Sequence, residues 1–397
     1  MRILVLNCGG SSIKFGLYEM PSEKLLGEGA VERLGTGQAV AKWRTDEGSR
    51  REELGGVGDH AGALSWIIGL LPEVLQDQPL AAVGHRVVHG GNRITGSVLI
   101  TEEVVEVLRE CSKIAPLHNP PAIMGIEACS RLVPEVPQVA VFDNAFHRDL
   151  PPASFLYGLP YELYERYGFR RYGFHGLAFE SMTEQACAML GRSREELRIV
   201  SLMLGSGTTA NALLYGRSLD VSTGYTPCEG LLQSTRCGDL DPALLVHLMR
   251  EFGWSTEQMD DLIYKKSGWL GISGVSADMA AVEAAAAQGH ERAQLALEVF
   301  VHRARKYVGA YAAAMGGMDL LIFGGGVGEN SPYLRARICD NLVFLGVELD
   351  PAANAALKGA GIISKPSSRV AVVVAKVDED LVLARETAKV LRQIGRA

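Results

Sequence analysis

Short hydrophobic runs that end in glycine or a carboxylate recur along the chain and predict buried strands. Segments with the helical spacing of apolar residues lie between them, and a last helix is predicted directly after Asp378-Glu379-Asp380. This alternation of strands and helices favours an α/β protein, in which helices cover the sheets. The predicted strands are 3–6, 81–91, 139–142, 199–204, 320–323 and 370–374, and the predicted helices include 61–68, 277–287 and 293–315.

One segment of the chain occurs twice, half a chain length apart. Residues 8–18 align without a gap with residues 205–215, and the copies share a glycine, two hydroxyl residues, a leucine and a tyrosine. Each copy follows a predicted buried strand. Glycine lets a backbone approach an anion, and the exposed N–H groups and hydroxyls of such a turn bind phosphate oxygens. We therefore predict two similar domains whose turns form a phosphate clamp; two hairpins that match by chance are the alternative.

Length and composition indicate a soluble protein of two domains. A chain of 397 residues exceeds what one hydrophobic core usually organises, and 47% of its residues are hydrophobic. Pro151-Pro152 is the candidate boundary, which predicts one domain over 1–150 plus 380–397 and a second over 151–379. The formal net charge of -7 gives no basic surface for nucleic acid, and no apolar run is long enough to span a membrane. Since no secretory signal is visible, we expect a cytoplasmic protein.

The cysteines predict neither disulfides nor a zinc site. The chain has seven of them, an odd number, and they are scattered without a Cys-x-x-Cys pair. We therefore expect reduced thiols, in keeping with a cytoplasmic protein.

Eight segments, taken in order, resemble the signature segments of the acetate kinase family. The resemblance covers nearly the whole chain and implies two duplicated ribonuclease-H-like domains with a cleft between them, the actin-like ATPase fold. The segments are Asn7-Cys8-Gly9, Gly84-His85-Arg86-Val87-Val88-His89-Gly90-Gly91, Ala115-Pro116-Leu117-His118-Asn119-Pro120, Phe142-Asp143-Asn144-Ala145-Phe146-His147, Tyr172-Gly173-Phe174-His175-Gly176, Thr226-Pro227-Cys228-Glu229-Gly230, Thr235-Arg236-Cys237-Gly238-Asp239 and Gly325-Gly326-Val327-Gly328-Glu329-Asn330.

The same resemblance implies an activity. Enzymes of this family transfer a phosphoryl group directly and reversibly between ATP and acetate, which gives acetyl phosphate and ADP. The resemblance further implies Mg²⁺, with Mn²⁺ as an alternative, and a homodimer. Acetate, or another short-chain carboxylate, and ATP/ADP are the expected partners.

Four residues are predicted to act in catalysis: Arg86, Asp143, His175 and Arg236. An ionised carboxylate is already a nucleophile, so the catalytic problem is to align two anions and to neutralise their charge. By resemblance, the two arginines hold acetate and the phosphoryl oxygens, and the histidine stabilises the transition state. Without the motifs, a surface ion pair for either arginine and a buried core histidine are the alternatives.

Asp143 and Glu379 are the acidic pair predicted to bind the metal; the resemblance implies Asn7 and Glu379 at the metal, with Asp143 beside it. Magnesium takes oxygen ligands and keeps several waters, so one or two carboxylates with phosphate oxygens suffice. The alternative for residues 378–380 is an N-terminal helix cap, which we expect of Asp378 in either case.

The remaining predicted site residues bind the two substrates. A small apolar pocket for the acyl group is implied at Val88, Leu117, Phe174 and Pro227. His85, His89, His118 and His147 are interpreted as supporting residues. The residues predicted to bind ATP and its phosphates are Ser12, Lys14, Gly205, Ser206, Gly207, Asp278, Gly325, Gly326, Val327, Gly328 and Asn330. Residues 325–330 are expected to form a glycine loop after the strand 320–323.

The chain departs from the family pattern around the phosphoryl donor. Gly10 replaces a serine, Met203-Leu204-Gly205-Ser206-Gly207 replaces His-Leu-Gly-Asn-Gly, Leu177-Ala178-Phe179 replaces Thr-Ser-His, and Ala280 lies where the family has an arginine that packs on adenine. These changes leave three alternatives open. They are another acyl group such as propionate, another donor such as a different nucleotide or pyrophosphate, and a non-catalytic nucleotide-binding relative.

Overall fold

The computed structural model describes residues 1–75, 78–115 and 118–396. These residues form two compact units. The first unit comprises Met1–Ala145 together with the segment that begins at Asp378, and the second comprises Phe146–Val377. Pro151-Pro152, the boundary suggested by the sequence, lies inside the second unit, where Pro152 begins a short helix.

The first unit contains an eight-stranded sheet in the order β5-β4-β3-β2-β1-β6-β8-β7. Strands β1, β6 and β8 are parallel to one another, whereas β1 to β5 form an antiparallel meander. The strands are β1 (Arg2–Cys8), β2 (Ser12–Glu19), β3 (Lys24–Glu32), β4 (Val40–Thr45), β5 (Gly48–Glu53), β6 (Leu80–Val87), β7 (Val98–Leu99) and β8 (Gln138–Phe142).

Four helices cover this sheet: α1 (His60–Leu75), α2 (Glu102–Cys111), α3 (Asn119–Leu132) and the last helix of the chain, α15 (Glu379–Gln393). Leu4, Leu6 and Phe15 are buried against α1, and this core extends to Cys129 on α3. Helix α15 packs against β1, β6 and β8. The first residue of α15 therefore lies near the ends of these parallel strands.

The second unit contains a six-stranded sheet in the order β11-β10-β9-β12-β14-β13. Here β9, β12 and β14 are parallel, and β9, β10 and β11 are antiparallel neighbours. The strands are β9 (Arg198–Leu204), β10 (Thr208–Leu214), β11 (Arg217–Val221), β12 (Leu320–Gly324), β13 (Gly361–Ile362) and β14 (Ala371–Val374).

Helices pack against both faces of the second sheet. Phe300 on α11 and Trp269 on α9 belong to the core on one face, and Phe179 and Met182 on α6 belong to the core on the other. The helices are α4 (Pro152–Phe155), α5 (Tyr161–Tyr167), α6 (Gly176–Leu190), α7 (Pro242–Phe252), α8 (Thr256–Lys265), α9 (Gly268–Ser273), α10 (Met279–Ala287), α11 (Glu291–Ala314), α12 (Gly325–Asn330), α13 (Pro332–Cys339) and α14 (Pro351–Ala356). Short 3-10 turns occupy Asp143–His147, Arg194–Glu196 and Val343–Leu345.

The two sheets share one strand arrangement. The order β3-β2-β1-β6-β8 of the first unit corresponds to β11-β10-β9-β12-β14 of the second, with the same parallel and antiparallel pairs. The repeated sequence segments form the matching hairpins β1-β2 and β9-β10. The α/β class and the duplicated arrangement predicted from the sequence are thus confirmed.

The glycine segment after β12 differs from its prediction. The sequence indicated a loop at residues 325–330, but they form the short helix α12 directly after the strand. Gly325 has a φ of +76°, and a Cβ at this position would lie 2.8 Å from the carbonyl oxygen of Leu204. Glycine therefore allows the chain to enter the helix without the connecting loop that other residues require.

Among the helices of the described part of the chain, none is long and apolar enough to cross a membrane.

Candidate active site

Three predicted site residues lie at one edge of the first sheet. Asn7 is near the end of β1, Arg86 is near the end of β6, and Asp143 directly follows β8. These strands are parallel and adjacent, with Leu6 opposite His85. Carboxyl ends of parallel strands meet at the same edge, where open α/β sheets bind their ligands.

Arg86 is held between two carboxylates from separate segments. Its Nε and Nη2 donate to Asp143 Oδ2 at 3.2 and 2.9 Å. Its Nη1 and Nη2 donate to the two carboxylate oxygens of Glu379 at 2.6 and 2.9 Å. The planar guanidinium thus binds one carboxylate in a two-pronged manner and shares a donor with the other, a geometry that lysine cannot reproduce.

The charged groups of this cluster change one another's pKa. Burial opposes the charge of Arg86, but Asp143 and Glu379 outweigh it and raise the pKa of the guanidinium. Burial raises the pKa of Glu379, and the carboxylates of Asp143 and Asp380 add to this effect against the lowering by Arg86 and Lys14. By contact, two carboxylates face one guanidinium here, which favours an additional cation.

One oxygen of Asp143 is buried without a hydrogen bond. The side chain is 2% exposed, Oδ2 binds Arg86, and Oδ1 has no partner in the described structure. A buried carboxylate oxygen without a donor is costly. The position therefore suits a cation or a donor that arrives with a ligand.

Helix α15 supplies two adjacent acidic residues with different contacts. Asp378 is the N-cap, and its side chain accepts a hydrogen bond from the backbone N–H of Leu381 at 3.0 Å. Glu379, the first residue of the helix, points to Arg86. The capping interpretation of residues 378–380 therefore applies to Asp378, and Glu379 is left available to the site.

His175 is fixed at the start of α6 in the second unit. It is the N-cap residue, with a φ of +60° that residues other than glycine adopt infrequently. Its Nδ1 lies 2.9 Å from Thr209 Oγ1 on β10. This contact orients the ring. The repeated segment indicated Thr209 as one of its two hydroxyl residues, but not its contact with His175; the side chain is buried rather than exposed to a phosphate.

Arg236 and His175 converge on Gly207 in the turn between β9 and β10. A Cβ at Gly207 would lie 3.2 Å from His175 Cε1 and 3.6 Å from Arg236 Nη1. Within the described residues, Arg236 has no ion pair with a carboxylate, and its Nη1 donates to Gln233 Oε1 at 3.1 Å. Burial lowers the pKa of Arg236. A shielded guanidinium that lacks a carboxylate partner favours the binding of an anion.

The two motifs around Arg236 are tied into one structure. Gln233 Nε2 donates to the carbonyl of Pro227 at 2.7 Å, while its Oε1 accepts from Arg236. Asp239 accepts from the N–H of Gly230 at 2.9 Å. The predicted acyl-pocket residue Pro227 is thereby connected to the predicted catalytic arginine through Gln233, a residue that the sequence analysis did not identify.

A buried histidine supports Phe174, another predicted acyl-pocket residue. His147 Nε2 donates to the carbonyl of Phe174 at 3.1 Å, so its Nδ1 accepts from Ser218 Oγ at 2.9 Å. Phe174 is 2% exposed. The interpretation of His147 as a supporting residue agrees with these contacts.

Helix α12 is held in place by a buried arginine outside the predicted set. Arg335 Nη1 donates to the carbonyls of Gly328 and Glu329 at 2.8 and 2.9 Å. Its Nε and Nη2 donate to the side-chain oxygen and the backbone carbonyl of Asn354. Arg335 is 1% exposed. It satisfies carbonyls at the end of α12 that the helix leaves unpaired.

The other predicted residues are distributed between the two units. Ser12 begins β2 and Lys14 is exposed on the same strand, while Val88 follows β6. Asp278 caps α10 by accepting from the N–H of Ala280 at 3.2 Å, and both residues are exposed. Leu117 lies outside the described residues.

The departures from the family pattern have local structural explanations at two places. Leu177 and Phe179 are buried in α6, and the ring of Phe179 lies edge-on to His147 at 5.8 Å. These residues therefore pack in the core. Ser206 is exposed, and its Oγ lies 2.8 Å from Ser234 Oγ, so a short hydroxyl remains at the tip of the turn.

Comparison with known proteins identifies the family of this chain. The sequence model of the acetokinase family matches residues 2–385. The chain belongs to the acetokinase family. Acetate kinase of Thermotoga maritima is 47% identical over 405 residues, which span 100% of both chains.

Solved structures agree with this assignment. The crystal structure of Porphyromonas gingivalis acetate kinase is 42% identical, with a TM-score of 0.93 over 98% of this chain and 99% of that one. A propionate kinase from Francisella tularensis is 36% identical, with a TM-score of 0.91 over 97% of this chain and 98% of that one. Membership places the chain among the phosphotransferases and implies the use of ATP with a divalent metal.

The residues present fit a divalent metal at the edge of the first sheet. The described residues contain no group of three or more histidine, cysteine or acidic side chains arranged to hold a metal by themselves. They do place the unpartnered Asp143 Oδ1 and the Glu379 carboxylate around one guanidinium. A hard cation that completes its coordination with water and phosphate oxygens suits such a partial set.

The different contacts of Asp378 and its neighbours predict a stability effect. We expect Asp378→Ala to lower the free energy of unfolding by about 0.5–2 kcal/mol, because the N–H of Leu381 loses its acceptor. Lys389→Ala, an exposed position on the same helix, serves as the control and should change it by less than about 0.5 kcal/mol. Urea titration followed by circular dichroism measures both. Equal effects of the two substitutions would contradict the capping role.

Proposed function

We propose that this chain catalyses reversible phosphoryl transfer between ATP and acetate, giving acetyl phosphate and ADP by direct in-line transfer. The observation that carries the proposal is Arg236. It is a shielded guanidinium without a carboxylate partner among the described residues, and it lies beside His175 and the space left by Gly207. A phosphoryl group in transfer carries negative charge that such donors stabilise.

The reaction needs no general base. Acetate is ionised at neutral pH and attacks phosphorus directly, so the protein must orient the two anions and neutralise their charge. We assign the binding of the acetate carboxylate and of phosphoryl oxygens to Arg86 and Arg236, and hydrogen bonding to a phosphoryl oxygen to His175. Thr209 keeps the imidazole ring oriented during the transfer.

We assign the metal site to Asn7 and Glu379, with Asp143 alongside, and infer that the ion is Mg²⁺. When bound, the ion neutralises phosphate charge and orients the phosphate oxygens. The oxygen-only donor set and the two carboxylates around one guanidinium support the choice of a hard cation. Arg86 donates to both carboxylates here, and we expect the carboxylates to bind the ion and the guanidinium to bind the anionic substrate when both are present.

We propose that Val88, Phe174 and Pro227, together with Leu117, line the acyl pocket. The links from Phe174 to His147 and from Pro227 to Gln233 support this role, because they fix two apolar residues close in sequence to His175 and Arg236. A small apolar pocket favours acetate. One additional methylene changes the binding free energy by only about 1–3 kcal/mol, so propionate is the nearest alternative.

We propose that the nucleotide binds along the ends of β9 and β12. The turn 205–207 and helix α12, which contains Gly325, Gly326, Val327, Gly328 and Asn330, lie side by side there, because Met203 pairs with Gly324. As predictions from the sequence, Ser12 and Lys14 remain assigned to the phosphates and Asp278 to the adenosine.

We also propose a homodimer that works in the cytoplasm. Helix α7 has no buried residue in this structure and exposes Leu244, Val246, Met249 and Phe252. An apolar surface of this kind on a single chain is typical of a contact with another subunit. The proposed substrate ATP is supplied in the cytoplasm, and free cysteines are typical of that compartment, so both support the cytoplasmic location.

Two other functions are distinguished by specific observations. A propionate kinase is the first, since the Francisella tularensis enzyme of that name shares the fold and 36% of its residues with this chain. A non-catalytic nucleotide-binding protein is the second, suggested by Met203 and Ser206. The retained Arg86, Asp143 and Glu379 cluster and the pairing of His175 with Thr209 argue against the second.

An assay of acyl acceptors against phosphoryl donors tests the proposal. We expect acetate with ATP to give the highest kcat/KM among acetate, propionate and butyrate. Because Ala280 offers no guanidinium to the base, GTP should support turnover within about tenfold of ATP, one decade being about 1.4 kcal/mol. A preference for propionate would replace acetate in the proposal. An absence of turnover with every pair, pyrophosphate included, would favour the non-catalytic protein.

The arginine assignments predict large losses of activity. Arg86→Ala and Arg236→Ala should each lower kcat/KM by roughly 10³-fold or more, because a cation is removed from the transferring group. Lysine should restore only part of the rate, since it lacks the planar donor fork. Arg192→Ala, an exposed arginine of the second unit, is the control. Wild-type kinetics in either folded alanine variant would remove that arginine from the mechanism.

The metal assignment predicts a change in magnesium dependence. Glu379→Ala should raise the Mg²⁺ concentration needed for the half-maximal rate, because a ligand of the ion is lost. Asp378→Ala should leave this concentration unchanged while lowering stability. If Glu379→Ala alters the melting temperature but not the Mg²⁺ titration, the residue has a structural role and the metal assignment is wrong.

A further inference from the structure

Two thiols lie in contact beside the proposed catalytic arginine. Cys228 Sγ and Cys237 Sγ are 3.6 Å apart, although nine positions separate them in the chain. Cys237 directly follows Arg236, and Cys228 directly follows Pro227. Both cysteines are anchored on one carbonyl, since the N–H of Cys237 and the thiol of Cys228 donate to Ile263 O at 3.0 and 3.6 Å.

The two thiols differ in exposure and in acidity. Cys228 is buried, with 8% of its surface exposed, whereas Cys237 is partly exposed. The contact between the two sulfurs lowers the pKa of Cys237 and, together with burial, raises the pKa of Cys228. The more accessible sulfur is thus the one that ionises more readily, which is the arrangement of an attacking and a resolving cysteine.

We propose that Cys228 and Cys237 form a redox-active dithiol, a modification site that hydrogen peroxide converts to a disulfide, which withdraws Arg236 from phosphoryl transfer. The pairing itself follows from the geometry of the thiols. Its consequence for catalysis rests on the function proposed above for Arg236.

The oxidation is balanced by one molecule of peroxide. The Cys237 thiolate attacks a peroxide oxygen, the O–O bond breaks, and the released hydroxide takes a proton to form water, which leaves a sulfenic acid on Cys237. The Cys228 sulfur then attacks the sulfenic sulfur, the S–S bond forms, the S–O bond breaks, and a second water leaves with the Cys228 proton. Two thiols are oxidised and one peroxide is reduced to two waters.

Formation of the disulfide moves the two cysteines, and the neighbouring Arg236 must be held in position for catalysis. The sulfurs must approach from 3.6 Å to about 2.05 Å. Gln233 links the carbonyl of Pro227 to the guanidinium of Arg236, so a shift of either cysteine is transmitted to both neighbours. A displacement of about 1 Å at a positioned group can lower the rate on the order of 10²-fold.

Peptide mapping tests the disulfide independently of activity. Tryptic cleavage after Arg217, Arg236 and Arg250 places Cys228 in residues 218–236 and Cys237 in residues 237–250. The reduced full-length protein is treated with stoichiometric hydrogen peroxide under native conditions, alkylated and digested. We expect the two peptides to be joined by a disulfide and to separate after dithiothreitol. Separate, alkylated peptides from protein in which other cysteines are oxidised would overturn the proposal.

Activity measurements test the consequence for Arg236. Oxidised wild-type protein should lose on the order of 10²-fold in kcat/KM and recover it with dithiothreitol. The double variant Cys228→Ser/Cys237→Ser should keep its own reduced activity after peroxide. Cys187→Ser, at a buried thiol on α6, is the matched control and should be inactivated like the wild type.

The two readouts separate failure of this inference from failure of the proposed function. Formation of the disulfide without a change in kcat/KM would overturn the effect on Arg236. Equal inactivation of the double variant and the wild type would do the same. If the reduced protein phosphorylates no carboxylate but the two peptides still become linked, the dithiol is supported and the proposed function fails.

Discussion

The ion-pair cluster around Arg86 is the interaction on which the site of the first unit depends. Its guanidinium lies between Asp143, which follows β8, and Glu379, which begins α15. Removing one partner of such a buried group costs about 3–5 kcal/mol, because a charge is left without compensation. The same cluster therefore joins the ends of two strands to the last helix and holds in place the carboxylates proposed to bind the metal.

The second unit has the same sheet with different chemistry at its edge. Where the first unit has Asn7, Arg86 and Asp143 at the ends of its parallel strands, the second has glycines after β9 and β12. Gly325 brings α12 against Leu204, and Gly207 leaves space in front of His175. The guanidinium of Arg86 in one unit and close backbone approach in the other are two ways to bind anionic oxygens. The duplicated fold thus carries the two different anion-binding roles proposed above.

Much of the site could be predicted from short segments. Arg86, Asp143, His175 and Arg236 were predicted as site residues because their motifs resemble a known family and their residue types suit phosphoryl transfer. The same resemblance implies Glu379, which lies outside the eight segments. The contacts of the supporting residues were not predicted, since Gln233, Thr209 and Arg335 hydrogen-bond side chains or backbone carbonyls that no pattern in the sequence connects to them. The Cys228–Cys237 contact was missed for a similar reason. It depends on both motifs meeting at Ile263 O.

The sequence by itself determined the class and the repetition of the fold. Buried strands such as β1 and β9 are recognisable because every side chain in a short apolar run must leave water, and the repeated glycine turn lies in the first hairpin of each sheet. Only the tertiary structure decided that residues 325–330 are helical, since Gly325 meets Leu204 there. The cap of α15 at Asp378 was expected from the sequence, whereas the pairing of Glu379 with Arg86 came only from the structure. Adjacent residues in a helix point in different directions, and only packing shows where each direction leads.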